Sequence, residues 1–279
     1  MRRNYRISDL KAYINWVYFF HAWSLPQQSE EGKHLYDEAQ NMLRMLQPYL
    51  VVKTVVEILP AWSEGDDIVV QPMQPCECGQ SHPCGEPIRL PMLRQQTPDK
   101  NGYCLCLSDF LRPKQALKQD KMGVFATSTS IDVAKTFPND DYNKMLLQTL
   151  ADRLAEAGAE RLHEEVRKTI WGYAPNEQLT IEELHREAFQ GIRPAVGYPC
   201  LPDISINFIL DEIVDFQSIG VTLTTSAMMQ PHASVSGLMF SLPEARYFSV
   251  GKIDQSQASD YAHRRHTTVE ELKKYVQCC

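Results

Sequence analysis

The sequence of 279 residues predicts an α+β fold in one domain. Runs of β-branched residues in the first half of the chain alternate with turn residues, which is typical of strands. Helical periodicity precedes these runs, and one long helical pattern follows them. No internal repeat, low-complexity tract or long linker divides the chain. We therefore expect a single domain over 1–279, with frayed tails at 1–6 and 277–279.

Periodicity places the elements of the N-terminal half. Ser8 can cap a first helix that ends near Phe20, and a second helical pattern covers residues 32–46. Short runs of β-branched and apolar residues follow, separated by turns. The predicted strands are 51–58, 67–70, 88–90, 103–107 and 122–126.

The C-terminal half begins with the longest helical pattern, at 140–170, where Leu147, Leu150 and Leu154 recur at helical spacing. A short helix at 181–185 then leads into a loop. Beyond the loop, the patterns predict a helix at 206–216, strands at 221–224, 238–240 and 246–252, and two closing helices.

Charge and hydropathy argue against several classes of function. The formal net charge is -7, the pI is about 5.6, and no cluster of Lys and Arg is present. Nucleic acid and anionic membranes are therefore not expected partners, because both need such clusters. No apolar stretch approaches the roughly 20 residues of a membrane span, and the N-terminus lacks the apolar core of a secretory signal. We expect a cytoplasmic protein.

The eight cysteines are expected to be reduced thiols. Cys76, Cys78, His82 and Cys84 have the spacing C-x-C-x3-H-x-C, which could hold a tetrahedral zinc ion. The alternative is a surface loop of free thiols. We favour this alternative because common zinc motifs use C-x2-C pairs, and we predict no metal site.

The loop at 191–199, GIRPAVGYP, is the most informative motif. Arg193 offers a planar fork for a carboxylate, and Gly197 has no side chain to keep a ligand from the backbone. Tyr198 adds an aromatic ring. Because proline has no N–H, backbone donors for a ligand must come from residues 195–198. This combination suits a small zwitterionic ligand.

Further motifs surround the loop in a specific order. YINW at 13–16, GDDI at 65–68, ADRLAEA at 151–157 and WGYAPNE at 171–177 precede it. LTTS at 223–226, PHASVSG at 231–237, YFSVGKI at 247–253 and QASDYA at 257–262 follow it. Over nearly its whole length, the chain resembles the activation domain of cobalamin-dependent methionine synthase.

The resemblance implies a fold and a function. The fold is a curved domain with a central antiparallel sheet flanked by helices. The function is to bind S-adenosylmethionine and to support remethylation of cobalamin after its accidental oxidation. Because nothing here resembles the modules for homocysteine, folate or cobalamin, we expect a stand-alone domain that is not catalytic alone. Its expected partners are a cobalamin-binding methionine synthase lacking its own activation domain and a flavodoxin-like or other reductant.

The resemblance also implies the residues that contact the ligand. Arg193 would hold the methionyl carboxylate, and the backbone near Ala195 and Gly197 would approach the ligand closely. Tyr247 and Phe248 are adjacent on a predicted strand and should point to opposite faces, so one of them would reach the ligand only through its backbone. The predicted set is Asn15, Glu156, Arg193, Ala195, Gly197, Tyr198, Tyr247 and Phe248, with no catalytic residue among them.

Two departures from the family pattern leave alternatives open. Asn15 stands where the family has Asp, so a negative charge that would face a cationic ligand is missing. This favours a partner-binding regulatory module with an impaired ligand site. The segment 204–207 also differs, and an altered surface there would suit an activator of a different corrinoid methyltransferase.

Overall fold

An antiparallel sheet with helices on both faces organises the structure. The computed structural model describes residues 1–75, 81–131 and 133–276. Within these residues the strands are β1 (Arg2–Arg6), β2 (Val51–Glu64), β3 (Asp67–Val70), β4 (Met73–Pro75), β5 (Ser81–Pro83), β6 (Ile88–Pro91), β7 (Asp120–Thr129), β8 (Thr222–Leu223), β9 (Met229–Gln230) and β10 (Ser234–Met239). The helices are α1 (Ile7–Leu10), α2 (Trp16–Ala22), α3 (Glu30–Leu46), α4 (Val133–Thr136), α5 (Asp141–Glu165), α6 (Ile181–His185), α7 (Ile206–Val214), α8 (Gln255–Arg264) and α9 (Val269–Leu272).

The main sheet has six strands. Five of them run in the order β10-β7-β2-β3-β6, β1 pairs with β2, and every pairing is antiparallel. The 14-residue β2 pairs with β1 at 51–55, with β7 at 52–61 and with β3 at 61–64. The sheet curls into a half-barrel flanked by helices, which confirms the predicted fold class.

Alternate residues of β7 belong to two different cores. Phe125 packs with α1, α2, α3 and α5 on one face of the sheet. Val124 and Ala126 pack with α7 on the other face. Both faces of β7 are therefore covered, which explains the uninterrupted apolar run at 122–126 in the middle of the strand. A smaller cluster joins α8 and α9 to Leu93 and Val250.

The N-terminal segment corrects two predictions. Residues 1–6 are not a frayed tail, because Arg2–Arg6 pair with Val51–Val55 on the edge of β2 and bury Tyr5. The predicted helix from Ser8 to Phe20 is broken, because residue 14 is extended and Asn15 caps a new helix. Residues 277–279, the other predicted frayed tail, lie outside the described residues.

The predicted strand at 103–107 is wrong for a local reason. Only one isolated bridge forms there, between Arg94 and Cys106. Side chains take the backbone N–H groups that a ladder would use: Tyr103 donates to Asp99, Leu105 donates to Gln95, and Cys106 donates to Asp109. Polar side chains close in sequence have thus replaced a neighbouring strand.

Two predicted helices differ from the structure at their C-terminal ends. The 140–170 pattern forms α5, and its last turn, Val166–Ile170, is a π-helix. The 206–216 pattern forms α7, which ends at an αL residue, Asp215, before a 3-10 turn at Phe216–Ile219. The predictions at 67–70 and 181–185 are confirmed as β3 and α6.

Candidate ligand-binding site

A cavity of about 630 Å³ lies between α5, the start of α2 and the loop at 191–199. Residues 247–249 also line it. Its volume is typical of a site for a small molecule. Seven of the eight predicted residues line this cavity: Asn15, Glu156, Arg193, Ala195, Tyr198, Tyr247 and Phe248.

Backbone hydrogen bonds hold the loop at 191–199 against the open edge of β10. Ile192 and Phe240 exchange two of them, with N to O distances of 3.1 and 2.9 Å. Further along, the N–H of Leu238 donates to the carbonyl of Pro194 at 3.0 Å. Gly237 permits this approach, because a Cβ there would lie 2.2 Å from the same Pro194 oxygen. The loop that carries Arg193 is therefore attached to the sheet.

Most backbone donors of the loop are already used within the protein. Val196 donates to Ser236 at 3.0 Å, Gly197 to Leu201 at 2.8 Å, and Tyr198 to Ala195 at 3.3 Å. Of the four donors that the sequence allowed, the N–H of Ala195 is thus the one without an acceptor among the described residues. A ligand that needs a backbone donor from this loop would meet it there.

Gly197, the eighth predicted residue, lies elsewhere. It lines an adjoining depression of about 360 Å³ that shares Glu156 and Tyr198 with the main cavity. Its φ is +85°, a conformation that favours glycine, and a Cβ would lie 3.3 Å from Cγ2 of Ile204. The turn therefore requires this glycine. Close approach of its backbone to a ligand remains a prediction.

Arg193 is a largely buried cation in the cavity wall. Its side chain is 15% exposed, and Nη2 lies 2.9 Å from Oε2 of Glu160 on α5. The backbone N–H of Arg193 donates to the hydroxyl of Tyr247 at 2.9 Å. Burial, the largest single influence, lowers the pKa of Arg193, but the nearby Glu160, Tyr247 and Glu156 together outweigh it and raise the pKa. The site therefore keeps a full positive charge.

Glu156 contributes a carboxylate from α5. One oxygen lies 2.9 Å from Nη1 of Arg153, and the other accepts a hydrogen bond of 3.5 Å from the hydroxyl of Tyr198. Burial raises the pKa of this carboxyl, while Arg153 and Arg193 act in the opposite direction. Both oxygens already have partners in the protein.

Asn15 has a structural role that fixes the orientation of its amide. Its Oδ1 accepts a hydrogen bond of 3.1 Å from the N–H of Val17 and so caps α2. An N–H can only donate, so the oxygen must face the helix. The NH2 group of Asn15 is the part left for the cavity, whereas an Asp would have a second oxygen there.

Tyr247 and Phe248 correct a further prediction. Residues 246–252 form no strand, and both aromatic residues line the cavity instead of pointing to opposite faces of a sheet. The backbone N–H of Phe248 donates to Sγ of Cys200 at 3.0 Å, and the thiol donates back to the Phe248 carbonyl at 2.7 Å. Here too, hydrogen bonds to a side chain, the Cys200 thiol, take the place of backbone pairing with a neighbouring strand.

Sequence reasoning left several cavity residues without a role. The position of Glu160, one helical turn after Glu156 on the same face of α5, is readable from spacing. Its ion pair with Arg193 is not, because it joins elements 33 residues apart. The cavity residues outside the predicted set include Tyr13, Tyr18, Arg153, Glu160, His185 and Glu187.

Comparisons with known proteins agree with this geometry. Residues 6–266 match the family model for the activation domain of vitamin B12 dependent methionine synthase. The chain belongs to this family. The crystal structure of the MetH reactivation domain bound to AdoHcy is 39% identical in sequence, with a TM-score of 0.87. The match covers 100% of this activation domain and 89% of that chain.

The zinc interpretation is not tested in this activation domain. Cys76 and Cys78 lie outside the described residues, while His82 lies in β5 and Cys84 follows it. Among the described residues, no group of three His, Cys, Asp or Glu side chains is placed to hold a metal ion. In the same part of the chain, no helix is both long and apolar enough to cross a membrane.

Proposed function

We propose that the cavity binds S-adenosylmethionine and its demethylated product, S-adenosylhomocysteine. The observation that carries this proposal is that Glu156, Arg193 and Tyr247 line one cavity, although Glu156 and Tyr247 are 91 positions apart in the sequence. The AdoHcy bound to the 39% identical reactivation domain supports the same ligand class.

The residues of the cavity fit the chemistry of such a ligand. The carboxylate needs a cation with a free donor, and Nε of Arg193 is buried without a hydrogen-bond partner among the described residues. The flat adenine needs apolar surface, which Tyr198, Tyr247 and Phe248 offer. The N–H of Ala195 supplies one further donor.

We propose in addition that the domain acts on cobalamin carried by a separate methionine synthase that lacks its own activation domain. When bound, the reduced corrinoid supplies a strong nucleophile, so the methyl transfer needs no general base from this chain. The cavity residues would hold the sulfonium in line and exclude water. A flavodoxin-like or other reductant and a cytoplasmic location belong to the same proposal.

Calorimetric titration tests ligand binding. We expect saturable binding of S-adenosylmethionine and S-adenosylhomocysteine by the wild type. Arg193→Ala should weaken both by about 10- to 100-fold, because a charge-assisted hydrogen bond contributes about 1.5–3 kcal/mol. The matched control is Arg112→Ala, an exposed arginine that pairs with Asp120 outside the cavity. No binding by the wild type, or equal binding by Arg193→Ala, contradicts the proposal.

Reconstitution tests action in trans. A methionine synthase truncated before its activation domain is inactivated by oxidation, then given S-adenosylmethionine, a reductant and this protein. Recovery of activity with the wild type, and not with Arg193→Ala, is the expected result. No recovery despite measured ligand binding would overturn action in trans and leave the ligand assignment standing.

One observation favours the second candidate function, a regulatory module with an impaired site. The carbonyl oxygen of Asn15 already accepts from Val17 in the cap of α2 and carries no formal charge, so this position attracts a ligand cation less strongly than a carboxylate would. The retained Arg193 and Glu156 argue against this candidate. Binding of the partner protein without binding of either nucleoside would support it.

The third candidate, an activator of another corrinoid methyltransferase, loses its main support. It relied on an altered surface at 204–207, but Ser205, Ile206 and Asn207 are buried. Asn207 donates to the Ala227 carbonyl at 3.0 Å and accepts from Ser236. This segment therefore offers little exposed surface to a partner, although Ile204 and Asn207 line the smaller depression.

A further inference from the structure

Two arginine–glutamate pairs near α5 have different geometries. One contains Arg167, from the π-helical end of α5, and the other contains Glu160, from α5 itself. Arg167 and Glu177 form three hydrogen bonds of 2.7–3.0 Å that use both carboxylate oxygens. Arg193 and Glu160 form a single contact of 2.9 Å, between Nη2 and Oε2. The first pair uses both oxygens of its carboxylate and leaves only Nη1 of Arg167 without a partner among the described residues, whereas the second uses one oxygen.

The pair of Arg193 and Glu160 leaves one unsatisfied atom on each residue. Nε of Arg193 and Oε1 of Glu160 are both buried without a hydrogen-bond partner among the described residues. Buried polar atoms are normally satisfied, and an unsatisfied atom on a charged group costs more than one on a neutral group. Both residues line the main cavity, so a ligand is a natural source of the missing partners.

The two unsatisfied atoms have opposite chemistry. Nε donates and carries part of a positive charge, whereas Oε1 accepts and carries part of a negative charge. An α-amino acid carries a carboxylate and an ammonium on the same carbon atom. Such a head group can therefore satisfy both atoms at once, with its carboxylate on the arginine and its ammonium on the glutamate.

The other carboxylates of the cavity are less suited to the ammonium. Both oxygens of Glu156 have partners, Arg153 and Tyr198. Glu187 is exposed, so water competes with a ligand there. Glu160, by contrast, has a side chain only 13% exposed and one oxygen without a partner.

We propose that Glu160 is a ligand-binding residue whose Oε1 accepts a hydrogen bond from the ammonium of the amino-acid head group, while Nε of Arg193 donates to the carboxylate. This inference rests on the proposed function of the cavity and adds a residue to it. Glu160 then has two roles, since Oε2 keeps Arg193 in position and Oε1 selects ligands that carry an amine.

Three ligands and three proteins separate these roles. The ligands are S-adenosylhomocysteine, its analogue with hydrogen in place of the amine, and 5′-methylthioadenosine, which lacks the whole head group. The proteins are the wild type, Glu160→Gln and the control Glu165→Gln, a glutamate of the same helix outside the cavity. Calorimetry gives the nine dissociation constants.

We expect the wild type to bind S-adenosylhomocysteine about tenfold more tightly than the deaminated analogue. Glu160→Gln should lose most of this ratio by weakening only the amine-bearing ligand, with 5′-methylthioadenosine unchanged. Glu165→Gln should behave as the wild type. A fourth protein, Glu160→Ala, which removes both oxygens, should also abolish the ratio. Unchanged binding of 5′-methylthioadenosine shows that each variant is folded.

A purely structural role for Glu160 gives a different result. If Glu160 only positions Arg193, Glu160→Gln weakens S-adenosylhomocysteine and the deaminated analogue equally, and the unchanged ratio overturns the inference while the proposed function stands. Unchanged binding of all three ligands by Glu160→Gln overturns it as well. If the wild type binds none of the ligands, the proposed function fails and this inference fails with it.

Discussion

Asn15 serves the helix and the cavity at the same time. As the cap of α2 it must present an acceptor to Val17, and an amide has only one oxygen. A carboxylate could cap the helix with one oxygen and face the cavity with the other. The departure from the family pattern therefore keeps the cap of α2 and leaves the cavity wall without a negative charge at this position.

Asn15→Asp is expected to tighten binding of S-adenosylmethionine by about tenfold, since a hydrogen bond to a charged group contributes about 1.5–3 kcal/mol and nearby carboxylates oppose part of this gain. The cap should survive, because Asp is as good a capping residue as Asn. Calorimetry gives the affinity, and thermal unfolding checks the helix.

Asn15→Ser is the matched control for this change. Serine keeps a capping oxygen but adds no charge, so the affinity should stay near that of the wild type. If Asn15→Asp bound no more tightly than Asn15→Ser, position 15 would have no electrostatic influence on the ligand. If only Asn15→Asp bound at all, the regulatory-module candidate would describe the natural protein.

At the scale of elements, the π-helical end of α5 positions the chain that leads to Arg193. Arg167 is fully buried there, pairs with Glu177, and lies 4.4 Å over the ring of Phe189. Phe189 precedes Arg193 by four residues. The long helix thus contributes carboxylates that line the cavity and an anchor for the arginine loop at its end.

Glu177→Gln should destabilise the protein by about 3–5 kcal/mol, because it leaves the buried charge of Arg167 without its counterion. Urea unfolding measures the change. Glu271→Gln is the control, since Glu271 pairs with Lys274 on the surface, and it should change stability little. A small effect of Glu177→Gln would mean that Arg167 finds another partner or that water reaches it.

At the scale of the whole molecule, the site depends on how closely the arginine loop approaches the sheet. The approach occurs at Gly237 of β10, which pairs with Ala195, and a Cβ there would lie 3.0 Å from the ring of Phe125. A side chain at 237 would collide with the Pro194 carbonyl. Fold stability and ligand affinity should therefore change together at this one position.

Gly237→Ala is expected to cost about 3 kcal/mol, because a Cβ 2.2 Å from a backbone oxygen forces the loop away from the sheet. The displaced Arg193 should also weaken ligand binding by about tenfold. Thermal unfolding and calorimetry on the same sample measure both effects.

Gly65→Ala provides the comparison. Gly65 has a φ of +62° in the turn between β2 and β3, with open space around it, so alanine strains the turn by about 1–2 kcal/mol without touching the cavity. Stability should fall while affinity stays constant. An affinity loss in both variants would show that binding follows general stability rather than the position of the loop.

The sequence by itself determined the features that depend on neighbouring residues. Helical and strand periodicity specified α6 and β3, and the motif around Arg193, with the motifs spaced around it, indicated the family and seven residues that line the cavity. These features are readable because local patterning and the chemistry of each residue type act over a few positions.

Only the tertiary structure decided how distant segments meet. It paired Arg2–Arg6 with β2, removed the predicted strand at 246–252, used three loop N–H groups internally, and placed Glu160 against Arg193. Each outcome depends on which acceptor, donor or charge another part of the chain supplies. The energy of a hydrogen bond or ion pair belongs to both partners, and a local pattern describes only one of them.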